Sequence, residues 1–347
     1  MRSQDKGMNI AIIGAGRVAI KAYLPLLRTW RDTRLVGLCS RSSATVNRVC
    51  SEWEIDFGTT ELAAIIERQP DVAFVLTPRA SHAALATALL EAGIDVFVEK
   101  PPTESSADTR ALADLAEERD RILMFGFNRR YALLYQKAKS LFEGKRIQSC
   151  IVEKHRPSAF HTSLYNNYLE DTIHQIDLLR FFCGEAQPSY TAFEQQEDHL
   201  LGAISIAHIE GGGMGMVLTS LQAGSWQEGA TLHGESLTVK VVAFRELWIT
   251  REDSVEVIGH DRPGRWIPDL QERGFHGAIE HFFNCVQRRT RPLSDGYDAT
   301  RTQELVEGMV VCAGEELRIT PNPREMNGRN AQSTPIGATS SDSQQVI

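Results

Sequence analysis

A cationic side chain follows an apolar run at a position that suits nucleotide chemistry. Lys100 lies in the tripeptide Glu99-Lys100-Pro101, immediately after the run 94–98, and a glycine-rich turn at 14–19 precedes both. In a parallel sheet that opens with a dinucleotide-binding turn, a lysine at the carboxyl end of a strand stands where a nicotinamide lies. These residues predict a nicotinamide-dependent oxidoreductase. The alternative is a lysine that only meets solvent.

The turn at 14–19 has the spacing of a dinucleotide-binding loop. Gly14 permits a tight turn, Gly16 lets the backbone approach a pyrophosphate, and Ala19 replaces a third glycine where helix packs on strand. The turn follows an apolar strand and opens a helix whose amino end attracts the anion, which makes the pattern informative. We predict that the cofactor contacts Gly14, Gly16, Arg17 and Val18.

The end of the second predicted strand indicates which cofactor binds. An NAD enzyme places Asp or Glu there, against the ribose 2'-hydroxyl. This chain instead has Ser40, Arg41 and Ser42. Hydroxyls and a guanidinium can hold a 2'-phosphate through charge-assisted hydrogen bonds. We therefore predict NADP(H) as the preferred cofactor, held by Ser40 and Arg41, with NAD(H) as the alternative.

Further cofactor contacts are predicted at the ends of later strands. Pro78, after Thr77, can press on one face of the cofactor, and His82 opens the next helix. Proline is also ordinary turn punctuation, and a histidine can simply begin a helix. The predicted contacts in this part of the chain are Thr77, Pro78, His82, Glu99, Lys100 and Asn128.

Acidic residues surround a histidine in a later helical segment. Asp171, His174 and Asp177 follow one another at i, i+3 steps, and Glu170 lies four residues before His174. On a helix these side chains share one edge, so a carboxylate can orient His174 as a general acid or base. The alternative is an amphipathic helix with a solvated acidic edge.

The first 125 residues alternate apolar runs with helical patterns. Strands are predicted at 9–13, 35–39, 72–76, 96–98 and 122–125, and helices at 18–29, 44–52, 61–67, 81–92 and 106–119. Strand alternating with helix predicts a doubly wound parallel sheet. We assign residues 1–125 to an α/β cofactor-binding domain.

The apolar spacing shortens towards period two after Gly144. Strands are predicted at 147–153, 203–209, 214–221, 237–244 and 247–250, and helices at 169–182, 274–288 and 299–317. Residues 126–319 therefore form an α+β domain with a large, mostly antiparallel sheet. Residues 320–347 are rich in Ser, Thr, Asn, Gln and Gly and are predicted to be a disordered tail.

Composition limits the classes of partner. With 347 residues, 42% hydrophobic and 24% charged, the chain can bury a large core, and its net charge of −8 argues against nucleic acid. No run approaches the roughly 20 apolar residues of a membrane span, and the first residues lack a signal-peptide core. Six scattered cysteines without a Cys-x-x-Cys pair indicate reduced thiols. We predict a cytoplasmic protein without a metal.

Together these motifs resemble the Gfo/Idh/MocA oxidoreductases. The resemblance rests on the turn at Gly14, on Glu99-Lys100-Pro101, and on the segments 126–131 and 171–177, and it runs from about residue 8 to 317. Segments 154–156 and 270–275 and the pair at 170–171 are most similar to the MviM-type branch. The resemblance implies an amino-terminal Rossmann domain, an open-sheet domain and a site between them.

The resemblance also implies catalytic roles. Lys100 would contact the nicotinamide ribose and a substrate hydroxyl, and His174 would donate or accept the proton. The family's aspartate commonly lies four residues before that histidine, where this chain has Glu170. Asp171 lies three residues before it, and we predict Asp171 as the third catalytic residue because the MviM-type branch has an acid there.

The implied reaction is hydride transfer between a nicotinamide and a secondary alcohol or ketone of a sugar, cyclitol or related metabolite, with a phosphorylated or carboxylated substrate favoured by the cationic candidates. Candidate substrate contacts are Asn128, Arg130, Tyr131, Lys154, His155, Arg156 and Tyr168. Two alternatives stay open: a carbonyl or imine reductase of specialised metabolism, and a non-catalytic NAD(P)-sensing protein. The family's open sheet commonly pairs with another copy, so a homodimer or homotetramer is predicted.

Overall fold

The structure, a computed structural model, describes residues 7–158, 163–259 and 268–314. Its amino-terminal part alternates short strands and helices. The strands are β1 (Met8–Ile13), β2 (Thr33–Cys39), β3 (Gly58–Thr59), β4 (Val72–Val75), β5 (Asp95–Val98) and β6 (Leu123–Phe125). The helices are α1 (Leu24–Leu27), α2 (Ser43–Trp53), α3 (Leu62–Ile66), α4 (His82–Glu91) and α5 (Ser106–Glu118).

These strands form one parallel sheet in the order β3-β2-β1-β4-β5-β6. Every residue of β4 and β5 is buried, as expected for strands that helices cover on both faces. This is the dinucleotide-binding strand order, with its ligand crevice beyond the carboxyl ends of β1 and β4. The predicted doubly wound sheet is confirmed.

The second part of the chain forms an eight-stranded sheet. Its strands are β7 (Ser149–His155), β8 (Ala186–Gln196), β9 (His199–Ile209), β10 (Met214–Ser220), β11 (Gln227–Gly234), β12 (Leu237–Val242), β13 (Glu246–Arg251) and β14 (Ser254–Gly259). Its helices are α6 (Leu133–Leu141), α7 (Leu164–Asn167), α8 (Ile173–Cys183), α9 (Asp269–Glu272), α10 (Phe275–Arg288) and α11 (Gly296–Cys312).

The strand order of this sheet is β14-β13-β12-β11-β7-β10-β9-β8. Neighbouring strands run antiparallel except β7 and β10, which are parallel. Along β10, buried residues alternate with partly exposed ones, and a Cβ at Gly215 would meet Leu179 of α8 at 2.6 Å. One face of the sheet therefore packs on α8. The predicted mostly antiparallel sheet is confirmed, while β3, β8, β11 and β14 were not predicted.

Four short turns interrupt regular α-helix and strand. Residues Ala19–Tyr23, before α1, and Tyr168–Thr172, before α8, are π-helical. Residues Arg79–Ser81, before α4, and Asn128–Tyr131, before α6, are 3₁₀-helical. Such turns shift the phase of the side chains that follow and often occur at functional sites.

The two sheets belong to one compact unit. Helix α10 packs on the first sheet, where the Phe282 ring lies 5.6 Å from the rings of both Phe74 and Phe97. Helix α11 packs on α5, where Gln303 accepts a 2.7 Å hydrogen bond from Thr109. The domain boundary at residue 125 stays a prediction, and the predicted tail at 320–347 lies outside the described residues.

Three properties of the described residues bear on the classes of protein considered above. Within the described ranges, no helix is long and apolar enough to cross a membrane. The six cysteines are free thiols, and three of them are buried. Among the described residues, no group of His, Cys, Asp and Glu is arranged to hold a metal ion.

Candidate active site

The glycine turn lies between the carboxyl ends of β1, β2 and β4. Gly14 has φ +104°, and a Cβ there would lie 2.7 Å from the Leu76 carbonyl oxygen, so only glycine fits. Its N–H donates to the Cys39 carbonyl at 2.8 Å. A Cβ on Gly16 would meet nothing closer than 4.0 Å, and Gly16 and Arg17 are exposed. The turn therefore fits a dinucleotide phosphate, with Val18 half-buried at the start of the following helix.

The end of β2 carries both basic and acidic groups. Ser40 is half-buried, Arg41 is exposed, and Ser42 caps α2 by accepting a 3.4 Å hydrogen bond from the Thr45 N–H. Glu61 also lies near this end. Burial raises the pKa of the Cys39 thiol, and the negative charge of Glu61 raises it further. A carboxylate of this kind is what an NAD enzyme uses for the ribose, and sequence spacing did not reveal it.

His82 joins two loops of the first sheet. It is fully buried, and its Nδ1 lies 2.9 Å from the Pro101 carbonyl oxygen while its Nε2 lies 2.8 Å from that of Thr77. Both ring nitrogens thus face the backbone, which gives His82 a positioning role, and its cofactor contact stays a prediction. Thr77 accepts a 2.8 Å hydrogen bond from Ser81, and Pro78 precedes the 3₁₀ turn at the mouth of the crevice.

Glu99 fixes the backbone at Lys100. Its carboxylate is buried and accepts 2.7 Å hydrogen bonds from the Lys100 N–H and the Tyr23 hydroxyl. Burial raises the pKa of Glu99, and the charge of Lys100 partly offsets that effect. Lys100 is half-buried and donates from Nζ to the Glu170 carbonyl oxygen at 2.7 Å. The first sheet thereby meets the segment that carries His174.

The π-helical turn at Tyr168–Thr172 sends two consecutive carboxylates in different directions. Glu170 pairs at 3.2 Å with Arg79 of the 3₁₀ turn before α4. Asp171 pairs at 2.8 Å with Lys154 of β7 and accepts a 2.7 Å hydrogen bond from Arg156, which follows that strand. Burial acts to raise the pKa of Asp171, but Arg156 and Lys154 more than offset it and hold the pKa well below its usual range.

His174 does not have the carboxylate partner that the helical spacing predicted. It is 4% exposed, and its Nδ1 is buried without a hydrogen-bond partner in the described part of the chain. Burial lowers its pKa well below the usual range, and the positive charges of Arg129, Lys154, Lys100 and Arg156 add to the effect. His174 is therefore neutral at pH 7, although cations surround it.

Asp177 faces the core and not an acidic edge shared with His174. It is fully buried and accepts 2.8 Å and 2.6 Å hydrogen bonds from Arg130. Arg130 also pairs with Asp298 at 2.7 Å and donates to the Leu293 carbonyl. This buried guanidinium is bonded by α8 and α11, and the substrate contact at Arg130 stays a prediction.

Three other predicted ligands are committed to the interior. Tyr131 is 4% exposed, and its ring lies 5.2 Å from that of His281 on α10. Tyr168 is fully buried and shares a 2.8 Å hydrogen bond with Ser205 of β9. Asn128 is 1% exposed and donates to the Arg273 carbonyl at 2.8 Å. These contacts give all three residues a structural role, and their predicted contacts with substrate or cofactor stay predictions.

The remaining candidates lie at the end of β7 and directly after it, beside two residues that the sequence analysis missed. Lys154 is buried and Arg156 half-exposed, while His155 points its Nε2 to Glu153 at 3.4 Å. The missed residues are Arg129 and Glu228, a buried pair joined at 2.9 Å. Glu228 of β11 stands opposite Lys154 in the sheet, a placement that only strand pairing reveals.

Comparison with known proteins agrees with this architecture. Residues 8–127 match the family described as oxidoreductase family, NAD-binding Rossmann fold. YceM of Salmonella typhimurium is 32% identical over 307 residues, which cover 87% of this chain and 97% of YceM. The scyllo-inositol 2-dehydrogenase (NAD(+)) of Bacillus subtilis is 23% identical over 320 residues, covering 85% and 91%. The crystal structure of the dehydrogenase MviM from Clostridium difficile matches with a TM-score of 0.82 at 22% identity, covering 88% and 99%.

The chain belongs to the Gfo/Idh/MocA family of oxidoreductases. It is an NAD(P)-dependent enzyme of the dehydrogenase and reductase type. The resemblance inferred from the glycine turn, the segment around Lys100 and the helix of His174 is thereby confirmed, including the likeness to MviM.

Proposed function

We propose that the protein transfers hydride between NAD(P) and a secondary alcohol or ketone carbon of a sugar, cyclitol or related small metabolite. One observation carries the proposal: Lys100, at the end of β5, donates to the carbonyl of Glu170, four residues before His174. A cation beside the cofactor crevice and a neutral imidazole thus belong to one cleft. The inositol dehydrogenase among the relatives supports the substrate class.

The cofactor would be held by the glycine turn and by the end of β2. Gly14 and Gly16 would form the pyrophosphate turn, and half-buried Ser40 and exposed Arg41 after β2 would bind a 2'-phosphate, which supports NADP(H) as the preferred cofactor. When bound, the nicotinamide supplies the hydride donor or acceptor. Glu61 is the group that would favour NAD(H), so the choice depends on which of Arg41 and Glu61 meets the ribose.

The proton is assigned to His174 and the stabilisation of charge to Lys100. A neutral imidazole can accept the proton of a substrate hydroxyl during oxidation and return it during reduction. The Lys100 ammonium stabilises the oxyanion character that develops on the substrate oxygen. Asp171 lies between Lys154 and Arg156, so its contribution is to hold the π-helical turn in place.

We propose a cytoplasmic homodimer or homotetramer. Free cysteines such as buried Cys39 and Cys150 suit a reducing compartment. Association is supported by the exposed apolar residues of the second sheet, Trp248 at 42% and Val255 at 55%.

The test is turnover by the purified protein with NADP⁺ and NAD⁺ against a panel of inositols, free sugars, and phosphorylated and carboxylated sugars. Lys100→Met and His174→Ala should each lower kcat at least about 100-fold while leaving cofactor affinity within a few-fold. Lys137→Met, which removes an exposed lysine on α6, is the matched control and should change neither quantity. Failure of the wild type to bind either nucleotide would contradict the proposal.

A further inference from the structure

Lys154 is a buried cation for which the reaction proposed above has no direct use. Its side chain is 2% exposed and projects from β7 towards the helical layer. Nζ donates to the carbonyl oxygen of Asp171 at 2.8 Å and lies 2.8 Å from the carboxylate oxygen Oδ1 of the same residue. The Lys154 ammonium thus contacts both the backbone and the side chain of Asp171 in the π-helical turn.

Charged groups face Lys154 from every element packed around it. Asp171 approaches from the π-helical turn, Arg156 from the residue after the end of β7, and Glu228 from β11. Arg129 approaches from the 3₁₀ turn before α6, and His174 from α8 feels the charge of Lys154. Asp171 is bonded by Arg156 and Glu228 by Arg129, so each carboxylate keeps an arginine when Lys154 is removed.

Asp171 is connected to the catalytic cleft through its neighbour in the chain. The neighbouring residue, Glu170, offers its carbonyl to Lys100 at 2.7 Å and its carboxylate to Arg79 at 3.2 Å. A displacement of the Asp171 backbone therefore moves the acceptor of the Lys100 ammonium. The same displacement shifts the start of α8, which carries His174.

We propose that Lys154 is a positioning residue that holds the π-helical turn so that Glu170 orients Lys100 and α8 presents His174. Its kinetic consequence rests on the proposed function, whereas the positioning itself is a property of the free protein. Lys154 acts through Asp171 and does not touch the reacting atoms in this assignment.

The protonation state of Lys154 makes the positioning of the π-helical turn depend on pH. Burial lowers the pKa of Lys154 to about 8, with Asp171 and Glu228 opposing the effect. As the pH rises through 8, Lys154 loses its charge, and its ion pair with Asp171 is lost. The rate should therefore fall on the alkaline side near that pH. An arginine stays charged throughout this range, so Lys154→Arg should move the fall to higher pH.

The kinetic arm compares Lys154→Met and Lys154→Arg with the control Lys137→Met, which removes an exposed lysine on α6. Lys154→Met should lower kcat at least about 10-fold, leave the KM for cofactor within about 2-fold, and lose the alkaline limb near pH 8. Lys154→Arg should recover much of the rate and keep it above pH 8. Unchanged kcat and an unchanged alkaline limb in Lys154→Met would overturn the proposal.

A second arm uses the free protein and does not depend on a substrate. In ¹⁵N–¹H spectra of lysine ammonium groups, a signal absent from Lys154→Met should titrate near pH 8, and the Lys100 signal should exchange faster in that variant. An unchanged Lys100 signal would overturn the positioning role. If Lys154→Met does not fold, the wild-type titration and Lys154→Arg decide. If the wild type turns nothing over, the proposed function fails while this arm still tests Lys154.

Discussion

His174 combines burial with a positive surrounding, and both features keep it neutral. Four cations lower its pKa in addition to burial, so the imidazole is ready to accept a proton well below pH 6.5. For oxidation of an alcohol, kcat/KM should therefore fall on the acid side only at a pH well below 6.5, because protonation of His174 removes the base. The measurement is the pH dependence of kcat/KM for the wild type.

The control for this prediction separates loss of the base from loss of binding. His174→Gln should abolish the acid limb and lower kcat about 100-fold or more, while the affinity for NADPH stays unchanged across the same pH range. An acid limb close to pH 6.5 would show that substrate or cofactor binding restores an ordinary pKa to His174 and would contradict its assignment from the free protein.

Under the proposed function, Arg41 favours NADP(H) and Glu61 favours NAD(H). A charge-assisted hydrogen bond to a 2'-phosphate is worth roughly 10-fold in affinity or more. Arg41→Ala should therefore weaken NADPH about 10-fold and leave NADH unchanged, measured by fluorescence titration. Glu61→Gln is the matched change at the same edge and should leave NADPH unweakened. Equal losses for both nucleotides in Arg41→Ala would contradict the preference for NADP(H).

At the residue scale, the sequence predicted the roles of residues that depend only on their neighbours in the chain. Gly14 needs its φ of +104°, and the order of strand, turn and helix identified it. The ion pairs of Asp171 and Arg130 were not predicted, because their partners, Lys154 and Asp177, are remote in sequence. Glu228 gave no local signal, since its meeting with Lys154 depends on the pairing of β11 with β7.

At the scale of elements, helix α8 is anchored by an ion-pair network. Arg130 and Asp177 are both buried, and Asp298 of α11 joins them. Removal of the Arg130 cation takes the ion-pair partner from the buried Asp177 carboxylate, which typically costs about 3–5 kcal/mol. Arg130→Met should therefore lower the free energy of unfolding by roughly that amount, measured by urea denaturation at pH 7.

A surface ion pair gives the comparison. Arg110 and Asp114 on α5 are 3.4 Å apart and more than half exposed, so Arg110→Met should change stability by less than about 1 kcal/mol. If Arg130→Met also lowers the free energy of unfolding by less than about 1 kcal/mol, then Arg130 does not anchor α8. The prediction that Arg130 contacts substrate would then be favoured.

The elements themselves were predicted where apolar periodicity was strong. β1, β4 and β5 lie inside apolar runs and were found within one or two residues of their bounds. β14 exposes four of its six residues, and β8 is largely polar, so neither shows an alternating apolar face. The π-helical turn at Tyr168–Thr172 was also beyond prediction, because five-residue hydrogen bonding has no distinct sequence pattern.

At the scale of the whole molecule, the second sheet leaves an apolar outer face at its β14 end. Lys240, Trp248 and Val257 stand side by side across β12, β13 and β14, and Trp248 and Val257 are each 42% exposed. A face of this kind is stable in water when a second copy covers it. Light scattering should therefore give a mass two or four times that of the chain.

A charged side chain on that face tests whether it is the interface. Val257→Glu should shift the protein towards the monomer, since association would bury a carboxylate among apolar groups. Val311→Glu places the same charge on α11, where the side chain is 58% exposed, and should leave the mass unchanged. A monomeric wild type, or an unshifted Val257→Glu, would place this face in solvent and assign any association to another surface.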